Sequence, residues 1–209
     1  MANLGGVRAR ILVLICLLLL VPLDSADSFP NGVGAIGDNG CSCHGASNNE
    51  TEIMLEGLPD RFESNTTYSL TLSISNQAIL ASEGSAQGGF RIIIDGGTLD
   101  FSSEQGQQID GGWTHKESSN QQRSWDFSWF SPDDNTTMAR LLIHANAVNG
   151  NQQSSGDNWH SIEIYIPGSQ NNDPLPNQVS ALELDLFDKT MLFSGILLLM
   201  YIGFRIIRD

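Results

Sequence analysis

The residues with the clearest capacity for chemistry in this chain form one short run, Cys41-Ser42-Cys43-His44. The whole chain contains only three cysteines, and two of them are separated here by a single residue, with a histidine directly behind. Thiols and imidazole are the side chains that hold haem, copper or zinc in proteins. This Cys/His cluster is therefore the first candidate site.

One interpretation of the cluster is covalent c-type haem. In such a site two thioether bonds hold the porphyrin, and the adjacent histidine binds the iron. Cys43 and His44 stand in the required order, whereas Cys41 lies one residue closer than the usual spacing allows. Attachment would then need a single thioether bond or a strained geometry.

A second interpretation is a copper or zinc ion held by both thiolates, His44 and one distant histidine. A closed tetrahedral site takes four ligands, and soft sulfur with imidazole suits copper(I) or zinc. We expect His144 to be packed within a strand rather than to bind metal. His160 is expected equally as a surface residue and as a metal ligand. His115, in a loop flanked by glycines, is the preferred fourth ligand.

A third interpretation assigns the cysteines no metal at all. In an exported protein Cys41 and Cys43 could form a disulfide, because disulfides persist outside the cytoplasm. A bond between residues i and i+2 closes a very small ring, so it would be strained and easily reduced. Reduced, inert thiols are the other form of this interpretation, and the sequence alone leaves all three open.

The N-terminal residues 1–26 predict a signal peptide in the form of a signal helix. Arg8 and Arg10 precede an apolar run at residues 11–21, and Ser25-Ala26 offers small residues for cleavage. That run is short for a membrane span, which needs about 20 residues. We expect the third cysteine, Cys16, to be removed with the signal.

A second apolar segment, at residues 191–207, predicts a single-pass transmembrane helix within residues 189–209. Lys189 precedes the segment, and Arg205 and Arg208 stand at its end, where basic side chains reach the interface. We therefore expect a short cytoplasmic tail, with the main domain extracellular or periplasmic.

The charge of the chain restricts its partners. It has 24 acidic against 10 basic residues and a formal net charge of −14, which repels nucleic acid and anionic lipid surfaces. Asn49, Asn65 and Asn135 each begin an Asn-x-Ser/Thr triplet and are predicted glycosylation positions of a secreted chain. No arrangement of nucleophile and base, phosphate loop or helical His-Glu-x-x-His is present, so we expect no enzyme.

Between the two ends the pattern predicts an all-β, immunoglobulin-like antiparallel β-sandwich. Tyr68, Leu70, Leu72 and Ile74 alternate with polar residues, which is typical of a half-buried strand. We expect an extended arm at 27–50, the sandwich at 51–168 and a linker at 169–188. The predicted strands cover residues 52–55, 67–74, 90–94, 98–101, 125–130, 138–145 and 162–166.

Several further motifs together resemble one known family. They are Phe29-Pro30-Asn31-Gly32-Val33-Gly34, the Cys/His cluster, Gly88-Gly89-Phe90, Gly97-Thr98-Leu99, Thr114-His115, Trp125-Asp126-Phe127-Ser128-Trp129-Phe130-Ser131-Pro132, Ala145-Asn146-Ala147-Val148-Asn149-Gly150 and Gly156-Asp157-Asn158-Trp159. Their order over residues 29–167 resembles the choice-of-anchor V domain, a Reeler-like β-sandwich. The resemblance implies an exported, C-terminally anchored domain and favours His115 as the missing ligand. The family usually has Cys-x-x-Cys-His, one residue longer than the cluster here.

Two functional hypotheses follow from the sequence. The first is a membrane-anchored cell-surface protein that binds copper, zinc or c-type haem through Cys41, Cys43, His44 and His115, for electron transfer with an unidentified partner. The alternative is a surface adhesion or ligand-binding module without catalysis, in which the cysteine pair is structural.

Overall fold

The computed structural model describes residues 29–44, 47–81, 83–176, 190, 191, 193–197, 200, 201 and 203. The chain divides into two units at Asn171. The predicted signal peptide at 1–26 lies outside the described residues, as do residues 177–189 of the predicted linker and anchor.

Nine strands in the described part of the first unit form two antiparallel sheets. The four-stranded sheet has the order β1-β2-β7-β4, and the five-stranded sheet has the order β5-β6-β3-β8-β9. All-β architecture with two sheets is thereby confirmed. The strands are β1 (Glu52–Glu56), β2 (Thr67–Ser75), β3 (Gly88–Asp95), β4 (Thr98–Phe101), β5 (Gly106–Ile109), β6 (Gly112–His115), β7 (Ser124–Phe130), β8 (Met138–Ala147) and β9 (Asn158–Pro167).

The hydrophobic core lies between the two sheets and follows the alternation in the sequence. Trp125, Phe127 and Trp129 of β7 point inward, and both tryptophans are fully buried. Facing them, Phe90 on β3 packs edge to face on Trp125 at 5.1 Å between ring centroids. Such pairs add to the stability that burial of the rings supplies.

The seven predicted strands are all present, but the sequence does not predict the β5–β6 hairpin. Its strands contain glycine and glutamine where an apolar alternation would be expected. Its turn is made by Asp110 and Gly111, both with positive φ (47° and 78°), as tight two-residue hairpins require. The sequence predicts only a turn at Gly111-Gly112, because strands of four residues are too short to give a recognisable alternation of apolar and polar residues.

The N-terminal segment, residues 29–44, is a folded layer over the outer face of the five-stranded sheet, not the extended arm that the sequence predicts. Two 3-10 helices, Ala35–Asn39 and Ser42–His44, occupy it. Arg91 of β3 is fully buried beneath it and binds the Asp38 carboxylate at 2.8 Å. The same guanidinium donates to the Val33 carbonyl at 3.2 Å and the Ile109 carbonyl at 2.7 Å. A buried arginine thus holds this segment in place.

The second unit begins at Asn172, and its described residues between 190 and 203 are helical. Within the described residues, no helix combines the length and the apolar character needed to cross a membrane. The transmembrane helix at 189–209 remains a prediction, because residues 189, 192, 198, 199, 202 and 204–209 lie outside the described set.

Candidate functional site

The Cys/His cluster sits in a tight turn that is fixed at its start by Gly40. The N–H of His44 donates to the Cys41 carbonyl at 2.8 Å, closing the Ser42–His44 turn. Gly40 has φ 109° and ψ 171°, a conformation open essentially to glycine alone. A Cβ there would also collide with the ring of Trp159, which is buried in β9. The close contact with the Trp159 ring therefore allows only glycine directly before Cys41, and so fixes the backbone where the cluster begins.

The cluster lines a small cavity between the N-terminal segment and the ends of β3 and β8. Its volume is about 90 Å³. Cys41, Cys43, His44 and His115 all lie in its wall, so the fold brings the four predicted ligands to one place. Most of the remaining wall is apolar or glycine, from Val33, Ile36, Gly88, Gly89, Phe90 and Val148.

His44 is oriented by a carboxylate that is 113 residues away in the sequence. Its Nδ1 lies 2.8 Å from Oδ2 of Asp157, whose side chain is only 3% exposed. The other oxygen, Oδ1, accepts the N–H of Asn149 at 3.0 Å, which fixes the carboxylate in turn. Nε2 of His44 has no hydrogen-bond partner in the described part of the chain. Metal-binding histidines have this arrangement, with one ring nitrogen on a carboxylate and the other free for the ion.

Cys41 and Cys43 are both free thiols and both half-buried, so the disulfide alternative is not formed in this structure. Burial raises the pKa of the Cys41 thiol to about 12, and the nearby Cys43 acts in the same direction. Cys41 is accordingly a neutral thiol at physiological pH. A metal ion that binds it must displace the proton.

His115 is a structural side chain in the observed conformation. The N–H of Phe90 donates to its Nδ1 at 3.2 Å, and its ring packs edge to face on Phe90. Burial is the main cause that lowers the pKa of His115 to about 4, and nearby His44 acts in the same direction. Hydrogen bonds with the backbone of Phe90 and of Phe29 raise the pKa and oppose this shift in part. His115 therefore stays neutral, and its Nδ1 already accepts a hydrogen bond from the backbone of Phe90. It lies beside the cluster, but its ring is not positioned as a ready metal ligand.

The two remaining histidines have ordinary roles. His144 is buried, and it contacts Ser161 Oγ with Nδ1 at 2.5 Å and the Asp38 carbonyl with Nε2 at 3.0 Å. His160 is half-buried and meets only Ser47 Oγ, at 3.5 Å, among the described residues. Neither ring lines the cavity, so the expectation of a packed His144 agrees with its contacts.

The donor set fits a single soft metal ion better than it fits haem. A cavity of about 90 Å³ is far smaller than the roughly 300–1,000 Å³ of pockets that enclose small-molecule ligands, and a porphyrin does not fit into it. Across the described residues, no three His, Cys, Asp or Glu side chains already stand at metal-binding distance. Binding of an ion therefore requires rotation of the Cys41 and Cys43 side chains toward Nε2 of His44, whose ring is held by Asp157.

The predicted glycosylation positions differ in their surroundings. Asn49 and Asn65 are exposed, and Asn65 has a positive φ of 51°, which asparagine tolerates. Asn135 is half-buried, and its Nδ2 donates to Ser169 Oγ at 2.9 Å. A glycan is therefore more easily accommodated at the first two positions.

Three residues that shape this site are not identified by the sequence as its parts: Asp157, Arg91 and Asn146. Asp157 belongs to a polar loop and to the Gly156-Asp157-Asn158-Trp159 motif, but nothing in either pattern pairs it with His44. Asn146 of β8 lies on the outer face of its sheet, since Ala145 and Ala147 on either side are buried in the core.

Comparisons with known proteins give structural similarity only. No protein-family model matches the sequence. No curated protein matches it either. The choice-of-anchor V assignment is therefore not confirmed and remains an interpretation of motifs.

Several solved structures share part of the arrangement of strands. The Reelin-N domain of F-spondin aligns with a TM-score of 0.39 and 20% identity, over 61% of this chain and 94% of that one. A conjugative transposon lipoprotein from Bacteroides eggerthii gives 0.34 and 9%, over 56% and 93%. AvmM, which catalyses macrocyclization in alchivemycin A biosynthesis, gives 0.38 and 9%, over 63% and 94%. At these scores the similarities assign no function.

Proposed function

We propose that this chain is an exported, surface-displayed β-sandwich protein that binds one soft metal ion through Cys41, Cys43 and His44. The observation that carries the proposal is the contact of His44 Nδ1 with the buried Asp157 carboxylate, which leaves Nε2 unpartnered among the described residues, beside two free thiols. Export and anchoring rest on the apolar segments at 11–21 and 191–207.

Copper(I) is the ion that this donor set favours. Two thiolates and one imidazole supply three soft or intermediate ligands, and thiolates select copper(I) and zinc. Zinc in a structural site takes four protein ligands, but His115 is held by the backbone of Phe90. Copper(I) accepts three-coordinate sites, whereas zinc here would need water or a rearranged His115. Haem is not part of the proposal, because neither the Cys-x-Cys spacing nor the cavity suits it.

A bound copper ion would give the protein a one-electron couple at the surface of the sandwich. The cluster lies in the wall of a cavity near the solvent, and the side chain of His44 is 17% exposed. Electron exchange with an external partner is thus consistent with the position of the site. The partner remains unidentified.

The experiment is a competition titration of the reduced full-length chain with copper(I) against bicinchoninate. We expect one copper per chain. Cys41→Ser and Cys43→Ser should each lower the copper affinity by more than the roughly 10–100-fold that follows when a residue supporting a metal ligand is changed. His160→Gln is the matched control, since His160 lies off the cavity wall, and it should bind like the parent. Failure of the parent to bind stoichiometric copper overturns the proposal.

The adhesion or ligand-binding alternative makes the opposite prediction for the cysteines. If the cysteine pair is only structural, the parent binds copper only at background level. The serine variants then change the free energy of unfolding but leave that low copper binding unchanged. Comparing copper stoichiometry with unfolding free energy in the same variants separates the two hypotheses.

A further inference from the structure

The outer edge of β9 is paired with backbone at its two ends and open between them. β9 is the last strand of the five-stranded sheet, so only its inner edge is bound, to β8. At one end of the outer edge, the N–H of Asn48 donates to the Trp159 carbonyl at 2.8 Å. At the other end, the N–H of Phe62 donates to the Pro167 carbonyl at 3.0 Å. Between these two contacts the chain leaves the edge and forms β1 in the other sheet.

Three residues in the middle of β9 direct their backbone groups toward this open edge. Successive residues of a strand direct their N–H and C=O groups to opposite sides. Trp159 and Pro167 face away from β8, so Ser161, Glu163 and Tyr165 also face away from it. None of these three has a backbone hydrogen-bond partner on that side within the described part of the chain. We call residues 161–165, with their open edge, the β9 slot.

The β9 slot also has an incompletely covered apolar side. Ile162 and Ile164 point toward the core, because they lie opposite Ile143 and Leu141 of β8, which are fully buried. The two isoleucines of β9 are only half-buried and pack at the margin of the core. A strand added along the slot would cover them with its own alternate side chains.

The β9 slot lacks the usual protections of an edge strand. β9 has ten residues, whereas the other edge strands, β1, β4 and β5, have five, four and four. Residues 161–165 contain no lysine or proline, and the pairing with β8 runs through them without a bulge. Their single charge, Glu163, is paired with Arg140. An edge of this length and composition readily accepts another strand.

The two end contacts limit the length of an added strand. Two β9 strands paired across a dimer would each meet the backbone of Asn48 or Phe62, because β9 is longer than its open stretch. A second copy of this chain is therefore a poor occupant. A separate segment of about five extended residues matches the slot.

The charge beside the β9 slot indicates a basic partner. Residues 48–62, which join the two end contacts, carry exposed carboxylates at Glu50, Glu52, Glu56 and Asp60. The one basic residue of this segment, Arg61, donates to two backbone carbonyls. Opposite charges on neighbouring strands attract, and like charges destabilise their pairing.

We propose that the β9 slot binds a short extended segment of a basic partner protein, which adds to the five-stranded sheet as an antiparallel sixth strand. Lysine or arginine lies opposite Ser161, Glu163 and Tyr165, and a β-branched residue lies opposite Ile162 and Ile164. The antiparallel direction follows from its slightly more stable pairing. The slot shares no residue with the Cys/His cluster, so this site is independent of the copper proposal.

Amide hydrogen exchange in the free full-length chain tests whether the slot is open. We expect the N–H groups of Ser161, Glu163 and Tyr165 to exchange faster than those of Ile162 and Ile164, which point toward β8. Equal protection of all five would mean that another part of the chain or a second copy already fills the slot, and it would overturn the proposal.

Binding is measured by titrating the ¹⁵N-labelled full-length chain with acetyl-Lys-Val-Lys-Val-Lys-amide at low ionic strength. We expect saturable shifts at the N–H groups of Ser161, Glu163 and Tyr165, with a Kd of about 1 mM or tighter. Acetyl-Glu-Val-Glu-Val-Glu-amide has the same alternation and the opposite charge, so it should bind at least about ten-fold more weakly. Absence of these shifts, or equal binding by the two peptides, would contradict the proposal.

Two N-methylated forms of the lysine peptide separate strand pairing from simple charge attraction. In the antiparallel arrangement the N–H of the central lysine donates to the Glu163 carbonyl, whereas the N–H of the second residue points away from β9. Methylation of the central lysine N–H should abolish binding, and methylation of the second residue should leave it unchanged. Equal binding by the two forms, or the reverse order, would overturn the proposal.

Two variants at Glu163 test the slot from the side of the protein. Glu163→Pro removes an N–H that points away from β8, and proline is tolerated on edge strands, so the fold should be retained in urea unfolding. This variant should lose binding of the lysine peptide. Glu163→Gln also lacks the carboxylate but keeps the N–H, and its affinity should fall by less than about ten-fold. Equal affinities of the two variants would rule out backbone pairing at the slot.

Discussion

His44 Nδ1 and Asp157 Oδ2 lie 2.8 Å apart although 113 residues separate them in the sequence. The carboxylate is almost fully buried, is held by the N–H of Asn149, and presents His44 to a cavity that also contains two free thiols. A single short turn supplies the candidate ligands, and a distant loop fixes the orientation of one of them.

Asp157→Asn tests the role of this contact. The amide can still accept the N–H of Asn149, but it loses the negative charge that supports His44. We expect copper affinity to fall by about 10–100-fold, as is common when a carboxylate behind a metal-binding histidine is changed. The control is Asp126→Asn, an exposed residue that accepts a hydrogen bond from Thr71 on the four-stranded sheet. Equal copper affinity in both variants would rule out a positioning role for Asp157.

Arg91→Lys tests the attachment of the N-terminal segment. Lysine retains the charge but not the fork that serves the Asp38 carboxylate and two backbone carbonyls, so buried acceptors lose their donors. We expect the free energy of unfolding to fall by about 3 kcal/mol. Limited proteolysis should also cut first within residues 29–44.

Arg140→Lys is the matched control for Arg91. Arg140 pairs with Glu163, and both side chains are partly exposed, at 38% and 25%. Exposed ion pairs contribute about 0–1 kcal/mol, so this variant should unfold close to the parent in urea. A loss in Arg91→Lys no larger than in Arg140→Lys would contradict the role given to Arg91.

Gly40→Ala tests the position of the turn. Alanine at φ 109° is strained, and its Cβ would collide with Trp159, so two costs combine. Gly84→Ala measures the cost of a positive φ alone, because Gly84 has φ 77° and no neighbouring atom lies within 4 Å of the point where its Cβ would stand. The additional loss at Gly40 combines its more restricted backbone conformation with the collision with Trp159. We expect about 1–2 kcal/mol of destabilisation at Gly84 and about 1–3 kcal/mol more at Gly40. Chemical denaturation of both variants measures the difference, and equal losses would argue against the Trp159 contact.

The lowered pKa of His115 predicts that the protein loses stability in acid. Its pKa is lowered by burial from 6.5 to about 4, so the unfolded chain takes up a proton at a pH where the folded chain does not. Stability should therefore fall as pH decreases from about 6.5 toward 4, by about 3 kcal/mol in total from this residue. The neighbouring His44 acts in the same direction on the pKa of His115.

The measurement is the unfolding free energy of the parent and of His115→Gln at several pH values between these limits. The variant lacks the titrating group, so its deficit relative to the parent should shrink as the pH falls. A deficit that stays constant over the range would show that His115 does not titrate as described.

Much of the sandwich and the residues of the site could be predicted from local patterns, whereas the contacts that position the site could not. Leu70, Leu72 and Trp125 follow a period of two, which directly reports a strand with one buried face. The contacts of Arg91 with backbone carbonyls leave no mark in the sequence. The pairing of His44 with Asp157 depends on how two distant loops meet. The sequence places His115 beside the cluster, as the structure does, but its hydrogen bond with the backbone of Phe90 was not foreseeable.

X-ray absorption at the copper edge of the copper(I)-loaded full-length chain tests the central claim most directly. We predict a single copper environment with two sulfur neighbours and one imidazole nitrogen, in which one sulfur is lost in Cys43→Ser and the imidazole is lost in His44→Gln. A copper environment without sulfur, or one that is unchanged in both variants, would contradict binding by Cys41, Cys43 and His44.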